Sequence, residues 1–401
     1  MSWLSIVGMG EDGLDGLSER AKIAIANADY VFGGQRHLDL AAPIIMGETH
    51  VWQSPLSRSI DFLLTRRNHA VCVLASGDPF HYGIGATLSR HLDPGDMAVY
   101  PHPSSFSLAA ARLGWPLQEV HTLSLHGRSL DLVRPHLHPG SRILALTSDE
   151  NGPAELARLL TQAGFGFSIL TVLEAIGGPQ ERLRSQLAMQ FDLADIAPLN
   201  LCAISVVALP DARVLPLTPG RDTALFEHDG QITKPDIRAL TLAALAPRRG
   251  ELLWDIGAGS GAVGIEWMLA DPSLAAIAIE ADPVRAARMA RNAAAMGVPG
   301  LRVVTGAAPE ALAGLDAPHA IFIGGGGSDP GVLDAAIAAL RPGGRLVANG
   351  VTLEMEQALL AQHAALGGSL TRIALSRAEP LGTMTTWRPA MPITQWVWGK
   401  T

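Results

Sequence analysis

The chain has 401 residues, more than one ordinary hydrophobic core organises, so its length predicts two domains. Hydrophobic residues make up 48% and charged residues 17%, a balance that excludes a disordered chain. A net charge of −8 argues against general nucleic-acid binding through a basic surface. Cys72 and Cys202, its two cysteines, lie inside apolar runs and read as buried free thiols, not as a disulfide or metal ligands. No run of about 20 apolar residues is present to span a membrane. The N-terminus enters a strand pattern directly, without a signal-peptide core, so the expected location is the cytoplasm.

Alanine-rich helical patterns alternate with Val/Ile/Leu runs, which favours α/β architecture throughout. Trp3–Met9 is a short apolar strand closed by Gly8, Gly10 and Gly13. Ser18 is placed to N-cap a helix over Glu19–Ala28, with Glu19 in its first turn. Ser54-Pro55 predicts a second helix start, cap then proline at the first helical position, running to about Arg67. Ala70–Ala75 is an apolar run of the kind that forms a central parallel strand. Ser76-Gly77-Asp78-Pro79-Phe80 follows it, then Gly83 and Gly85, where α/β sheets place their ligands.

Further strands alternate with polar loops. Met97–Tyr100 leads into Pro103-Ser104-Ser105-Phe106-Ser107, and Val120–Leu125 into His126-Gly127-Arg128. Ser168–Leu173 ends at Glu174, and Leu199–Val207 is another long apolar strand. From Pro210 to His228 prolines and mixed charges show no periodicity, which predicts a linker between domains at 1–209 and 229–401.

The second domain opens with Asp229-Gly230-Gln231-Ile232-Thr233-Lys234, and Pro235 starts a helix to about Leu245. Leu252–Gly264 is its most informative stretch. An apolar run ends in Asp255, glycines follow at 257, 259 and 261, and a helical pattern begins. Glycines at such a turn permit φ > 0 and close approach of a ligand to the backbone. Glu280 ends the next apolar run, where a carboxylate suits ribose hydroxyls. The helix Pro283–Met296 carries Arg285, Arg288 and Arg291 at a spacing of three, expected as a solvated charged face. Strands are expected at Leu301–Val304, Ala320–Ile323 and Arg345–Ala348, with a closing β-hairpin formed by Leu370–Leu375 and Ile393–Trp398. No internal repeat is evident.

These motifs carry a resemblance. Val7-Gly8-Met9-Gly10, Ser76-Gly77-Asp78-Pro79, Pro103-Ser104-Ser105, Leu125-His126-Gly127-Arg128 and Pro198-Leu199-Asn200-Leu201 make the first part similar to the tetrapyrrole methylases of corrin biosynthesis that methylate C5. Gly230–Lys234, Trp254–Gly261, Ala308-Pro309-Glu310 and Gly343-Gly344-Arg345 make the second resemble the decarboxylating methyltransferases that act at C15. Both parts in this order resemble the precorrin-6B (precorrin-6Y) C5,C15-methyltransferases (decarboxylating) of cobalamin biosynthesis. The fold then implied is an N-terminal tetrapyrrole methylase α/β domain followed by a Rossmann-like, seven-stranded methyltransferase domain. One departure stands out. The family's first loop is usually G-x-G-P-G, and here it reads Gly8-Met9-Gly10-Glu11-Asp12, so that loop is left out of the expected site.

The resemblance implies S-adenosyl-L-methionine (SAM) at two sites, one per domain, and no metal. Gly77, Asp78, Ser104, Ser105 and His126 would line the first site. Thr233, Gly257, Ala258, Gly259, Ser260 and Gly261 would cradle the methionine part at the second, with Glu280 on the ribose and Ala308 beside the adenine. The implied substrate is a corrin precursor bearing many carboxylates, for which Arg128, Arg377 and Arg388 are candidates, since guanidinium matches carboxylate bidentately. Association of copies through the second domain is implied as well. The competing readings are a SAM-dependent methyltransferase of RNA or protein and a non-catalytic SAM-binding protein; the acidic balance and absence of a basic stripe weigh against RNA.

Overall fold

In the computed structural model, which describes residues 2–401, the chain divides into two compact units. The first holds the chain up to Leu130 together with His136–Ala212, and the second holds Arg213–Thr401 with the short segment Asp131–Pro135.

In the first unit, apolar runs buried on both faces become parallel strands. They are β1 (Leu4–Met9), β2 (Tyr30–Gly33), β3 (Glu48–Val51), β4 (Val71–Ser76) and β5 (Met97–Tyr100). The order is β3-β2-β4-β1-β5, every pair parallel. Side chains alternate across the sheet, so Val7, Met9, Cys72 and Leu74 enter one core while Leu4, Ile6, Val71 and Val73 enter the other. Cys72 and Cys202 are free and buried, and burial pushes both thiols up to about 12.

Ser18 caps its helix as expected, its hydroxyl accepting the Ala21 N–H at 3.3 Å, although the helix stops at Ala26. The second start differs. Pro55 itself is the extended N-cap, the helix is Leu56–Leu64, and Ser59 one turn inside accepts the Gln53 N–H at 2.9 Å. The helix stops before Arg67 because the chain tightens there, Thr65 Oγ1 donating back to the Phe62 carbonyl at 2.6 Å.

A second sheet of this unit is mixed. It contains β6 (Val120–Ser124), β7 (Arg142–Leu146), β8 (Ile169–Glu174), β9 (Arg182–Leu187) and β10 (Asn200–Ser205), in the order β6-β7-β10-β8-β9. Only β6 and β7 pair in parallel. Sequence pattern alone misses β9 because it is charged: Arg182 and Arg184, on one face, both reach the buried Glu174. Burial raises that carboxyl, but the two guanidinium groups and the Ala197 N–H outweigh it and hold Glu174 below the usual range.

The second unit is built on β11 (Leu252–Ile256), β12 (Ala275–Glu280), β13 (Arg302–Thr305), β14 (Ala320–Ile323), β15 (Arg345–Gly350), β16 (Ser369–Ile373) and β19 (Ile393–Gly399). These form one seven-stranded sheet, ordered β13-β12-β11-β14-β15-β19-β16, parallel up to β15, with β19 antiparallel to both neighbours. Trp254, Ile256, Ile277, Ile279, Ile321 and Ile323 fill one core and Leu253, Ala276, Ala278 and Phe322 the other. The expected pairing of the last two apolar runs is present. The chain between them does not form a simple turn, however; it makes a separate two-stranded ribbon, β17 (Ser376–Leu381) with β18 (Met384–Pro389).

The stretch 210–228, expected as a linker, belongs from Arg213 onward to the second unit. Leu215 and Phe226 are buried in its core, and the Gly220 and Arg221 N–H groups donate to the buried Glu266 at 2.7 and 3.0 Å. Spaced apolar residues anchor a segment without periodicity. Among the described residues, no helix is long and apolar enough to cross a membrane.

Candidate functional site

Each unit carries a large cavity bordered by the carboxyl ends of parallel strands, the place where α/β sheets bind ligands. In the second unit β11 delivers Asp255 and Ile256, and the chain then turns through Gly257, Gly259 and Gly261 at φ +67°, +59° and +77°. Gly257 meets a further constraint, because a Cβ there would lie 2.3 Å from the Gly325 carbonyl oxygen. Thr233, Gly257, Ala258, Gly259, Ser260, Glu280 and Ala308 all border this cavity of about 690 Å³. Gly261 does not. It caps the helix Ala262–Met268, and its Cβ would strike Met289 at 2.4 Å, so packing explains it.

Glu280 closes the turn from the opposite strand, Oε2 accepting the Gly259 N–H at 2.7 Å and Oε1 the Asp282 N–H at 3.0 Å. Each oxygen keeps a second lone pair for a ligand hydroxyl. Thr233 is fixed from behind: its carbonyl accepts Arg238 Nη1 at 2.5 Å, and Arg238 Nε meets Glu266 at 2.8 Å. Of the arginines expected as a solvated face, Arg291 is 58% exposed, in a pair with Glu227 at 2.7 Å. Arg285 and Arg288 are more covered and grip Asp229 at 2.8 and 3.3 Å. Asp229 is pushed down to about 2, first by the Gln231 N–H and then by these guanidinium groups. The loop that carries Thr233 is thus held at both ends.

Asp255 is buried to 1% exposure under the glycine turn. Its Oδ2 accepts the Gly264 N–H at 2.8 Å, while Oδ1 has no hydrogen-bond partner among the described residues. Burial raises the carboxyl to about 7, opposed by the Gly264 bond and reinforced by the charge of Glu280. The unfolded chain therefore ionises first as pH rises, and the group contributes stability below about pH 4 that declines between about pH 4 and pH 7. Asp255→Asn, neutral throughout, should gain melting temperature over the wild type as pH rises from about 5 to about 8 without SAM. A constant difference across that range would refute the assignment.

Of the three candidate arginines, only Arg377 borders a cavity. It stands on β17 and pairs with Asp236. Arg388, opposite it on β18, pairs with Glu379 at 3.1 Å and lies outside the cavity wall. Arg128 is exposed and borders neither cavity. Lys234, Asn349 and the loop Gly324–Gly326 also line the second cavity, and the glycine run after the Ala320–Ile323 strand was the sequence signal for that loop.

The cavity of the first unit, about 700 Å³, is bordered by Gly77, Ser104, Ser105 and His126. Ser104 also N-caps the helix Ser105–Leu113 through the Ser107 N–H at 3.2 Å, and His126 Nδ1 lies 3.4 Å from the Thr147 carbonyl. Asp78 is absent from the wall. Its Oδ1 turns back to accept the Phe80 N–H at 2.8 Å and shapes the loop instead. The first glycine loop, left out on sequence grounds, is in the wall through Met9, Gly10 and Glu11. So are Arg36 and His37, after β2, a strand whose brevity hid it in the sequence.

Residues 4–190 match the family model of tetrapyrrole (corrin/porphyrin) methylases, and residues 224–400 that of the precorrin methyltransferase domain. A relative from Sinorhizobium, named precorrin-6Y C(5,15)-methyltransferase (decarboxylating), is 62% identical over 99% of this chain and 96% of its own length. Two shorter relatives come from Salmonella typhimurium. One, named cobalt-precorrin-7 C(5)-methyltransferase, is 31% identical over 45% of this chain and 88% of its own. The other, named cobalt-precorrin-6B C(15)-methyltransferase (decarboxylating), is 34% identical over 40% of this chain and 85% of its own. Two differently built cavities, two family models and a full-length likeness agree: the chain belongs to the precorrin-6Y C(5,15)-methyltransferase (decarboxylating) family.

Proposed function

We propose that the family's activities are divided between the units, C5 methylation at the first cavity and C15 methylation with decarboxylation at the second. The protein is a SAM-dependent methyltransferase of cobalamin biosynthesis that methylates precorrin-6B at C5 and C15 and decarboxylates its C12 acetate to give precorrin-8X. The observation that carries the division is the presence of one cavity at the strand ends of each unit, the second lined by residues of one family match and the first lined mostly by residues of the other.

SAM, the methyl donor of this family, supplies an electrophilic methyl group on sulfonium. The corrin precursor offers electron-rich meso carbons, so the protein's task is chiefly to hold the two in line. At the second cavity the turn Gly257–Ser260 and Thr233 admit the methionine part, Glu280 takes the ribose hydroxyls and Ala308 flanks the adenine. Arg377 and Lys234 meet carboxylates at the rim, while Val351, Ile373 and Leu375 offer an apolar wall to the macrocycle. At the first cavity Gly77, Ser104, Ser105 and His126 serve the donor. Neither methyl transfer requires a resident metal ion, since the sulfonium methyl is already electrophilic.

The reading includes association of copies through the second unit. Leu381, Met384 and Trp387 on the ribbon β17–β18 are 58%, 72% and 72% exposed, an apolar surface suited to burial against another copy. A single-copy mass in sedimentation velocity would overturn that part.

Division of labour is tested with Gly77→Val. Gly77 sits at φ +53°, and even a Cβ would lie 3.0 Å from Ser104 Cα. Incubated with SAM and precorrin-6B, the variant should lose C5 methylation by about 100-fold while the second methylation and carbon dioxide release continue. Loss of all three in a folded protein would reject two independent sites.

A further inference from the structure

Among the described residues, the first cavity has a single arginine in its wall, Arg36, to which the methyl donor assigns no task. Three strand ends bring its neighbours together. Glu11 follows β1, Arg36 and His37 follow β2, and Ser76 ends β4. Arg36 Nη2 donates to His37 Nε2 at 2.9 Å and to Ser76 Oγ at 3.3 Å, and Ser76 Oγ lies 3.0 Å from the same ring nitrogen. Arg36 Nη1 pairs with Glu11.

Arginine has no acceptor, so His37 Nε2 must accept and the ring proton resides on Nδ1. Burial, then the charge of Arg36, pushes His37 down to about 4, which keeps the ring neutral as this geometry needs. The guanidinium is thereby oriented by two neutral groups and one carboxylate. Its Nε donor and one Nη1 hydrogen have no partner among the described residues. The rest of the wall is largely apolar, including Leu74, Ile84, Leu108, Leu146 and Leu173. A pre-oriented guanidinium with spare donors beside an apolar cavity matches a carboxylate on the rim of an apolar ligand.

We propose that Arg36 receives a peripheral carboxylate of the corrin precursor during C5 methylation. His37 and Ser76 are positioning residues, and Glu11 is the counter-ion that holds the guanidinium until the carboxylate arrives. The proposal rests on the assignment of C5 methylation to this cavity. SAM also carries a carboxylate, and Arg36 reaches Ser76, the neighbour of Gly77. The apolar wall beside Arg36 suits the macrocycle, and SAM binding in the test below distinguishes the two sources.

The full-length enzyme, with SAM and precorrin-6B, provides the test. Arg36→Gln should raise the apparent KM for the macrocycle in C5 methylation by about tenfold or more. C15 methylation, decarboxylation and calorimetric SAM binding should stay as in the wild type. Arg36→Lys should recover only part of the loss, since it keeps the charge without the fork. Glu11→Gln, which removes the competing charge, should lower the same KM, and a rise there overturns the proposal even where Arg36→Gln fails to fold. An unchanged macrocycle KM in folded Arg36→Gln overturns it too, and weakened SAM binding in that variant would reassign Arg36 to the donor's carboxylate. Intact C5 methylation in Gly77→Val would instead remove the cavity assignment beneath it.

Discussion

Gly257→Ala should abolish C15 methylation and decarboxylation. The side chain that alanine adds would meet Gly325 backbone atoms, the carbonyl oxygen at 2.3 Å, its carbon at 2.6 Å and Cα at 2.7 Å. No rotamer change relieves a clash with backbone. The φ of +67° adds a cost of about 1–2 kcal/mol for an L-residue with a side chain. Relief requires the two loops to part, yet both are tied down, Gly257 N to the Ile279 carbonyl and Gly324 N to the Ile256 carbonyl, each at 3.0 Å. Parting them shifts Ala258–Ser260 relative to Glu280, and a displacement of about 1 Å can cost about 100-fold in rate. Product mass spectrometry and SAM calorimetry measure the effect. Near-normal C15 methylation in this variant would remove the second cavity from the reaction.

Arg238→Met should destabilise the second unit by about 3–5 kcal/mol, the usual cost of breaking a buried ion pair from one side. Arg238 is fully buried and Glu266 is 1% exposed. Without the guanidinium, Glu266 keeps the Gly220 and Arg221 N–H groups, but its remaining cation, Arg221, is 3.9 Å away. The Arg221 and Thr233 carbonyls lose their donor as well. Because Thr233 borders the cavity, SAM binding at the second site should weaken along with stability. Denaturant unfolding followed through the buried Trp254, Trp267 and Trp396 reports the first effect, and calorimetry the second. Arg238→Met with Glu266→Gln should regain part of the stability, since no charge is then left unpaired. A loss below about 1 kcal/mol in the single variant would show that the cluster does not hold this loop.

The two effects differ in how far the sequence foretold them. Gly257, Gly259 and Glu280 were legible because each sits at the end of an apolar run, and a buried parallel strand delivers its carboxyl end to the ligand side of the sheet. Gly77, Ser104 and Ser105, which the resemblance implies for the first site, border the first cavity. Arg238 was not, because a charged residue one turn into an alanine-rich helix reads as solvated. Its burial depends on Glu266 from another helix and on Gly220 from a stretch without periodicity.

Asp78 follows Gly77, which borders the first cavity, but its carboxylate turns back to the Phe80 N–H, and a side chain's direction is not encoded in spacing. Arg128 and Arg388 are outside the cavity walls, whereas Arg377 is inside one, and the match of guanidinium to carboxylate does not say which arginine faces a cavity. Arg285 and Arg288 looked solvated because the helix pattern describes one helix alone; Asp229, more than 50 residues earlier, binds both.

By itself the sequence determined what local pattern determines: the α/β class, two units, the glycine turn and the carboxylate that faces it. Periodicity reports whether a strand is buried and where it ends, and ligand sites lie at those ends. Only the tertiary structure decided which strand ends are neighbours. The order β3-β2-β4-β1-β5 brings Glu11, Arg36 and Ser76 to one wall, although 25 and 40 residues separate them in the chain. Strand order is set by packing of whole faces, a long-range property that no local window contains.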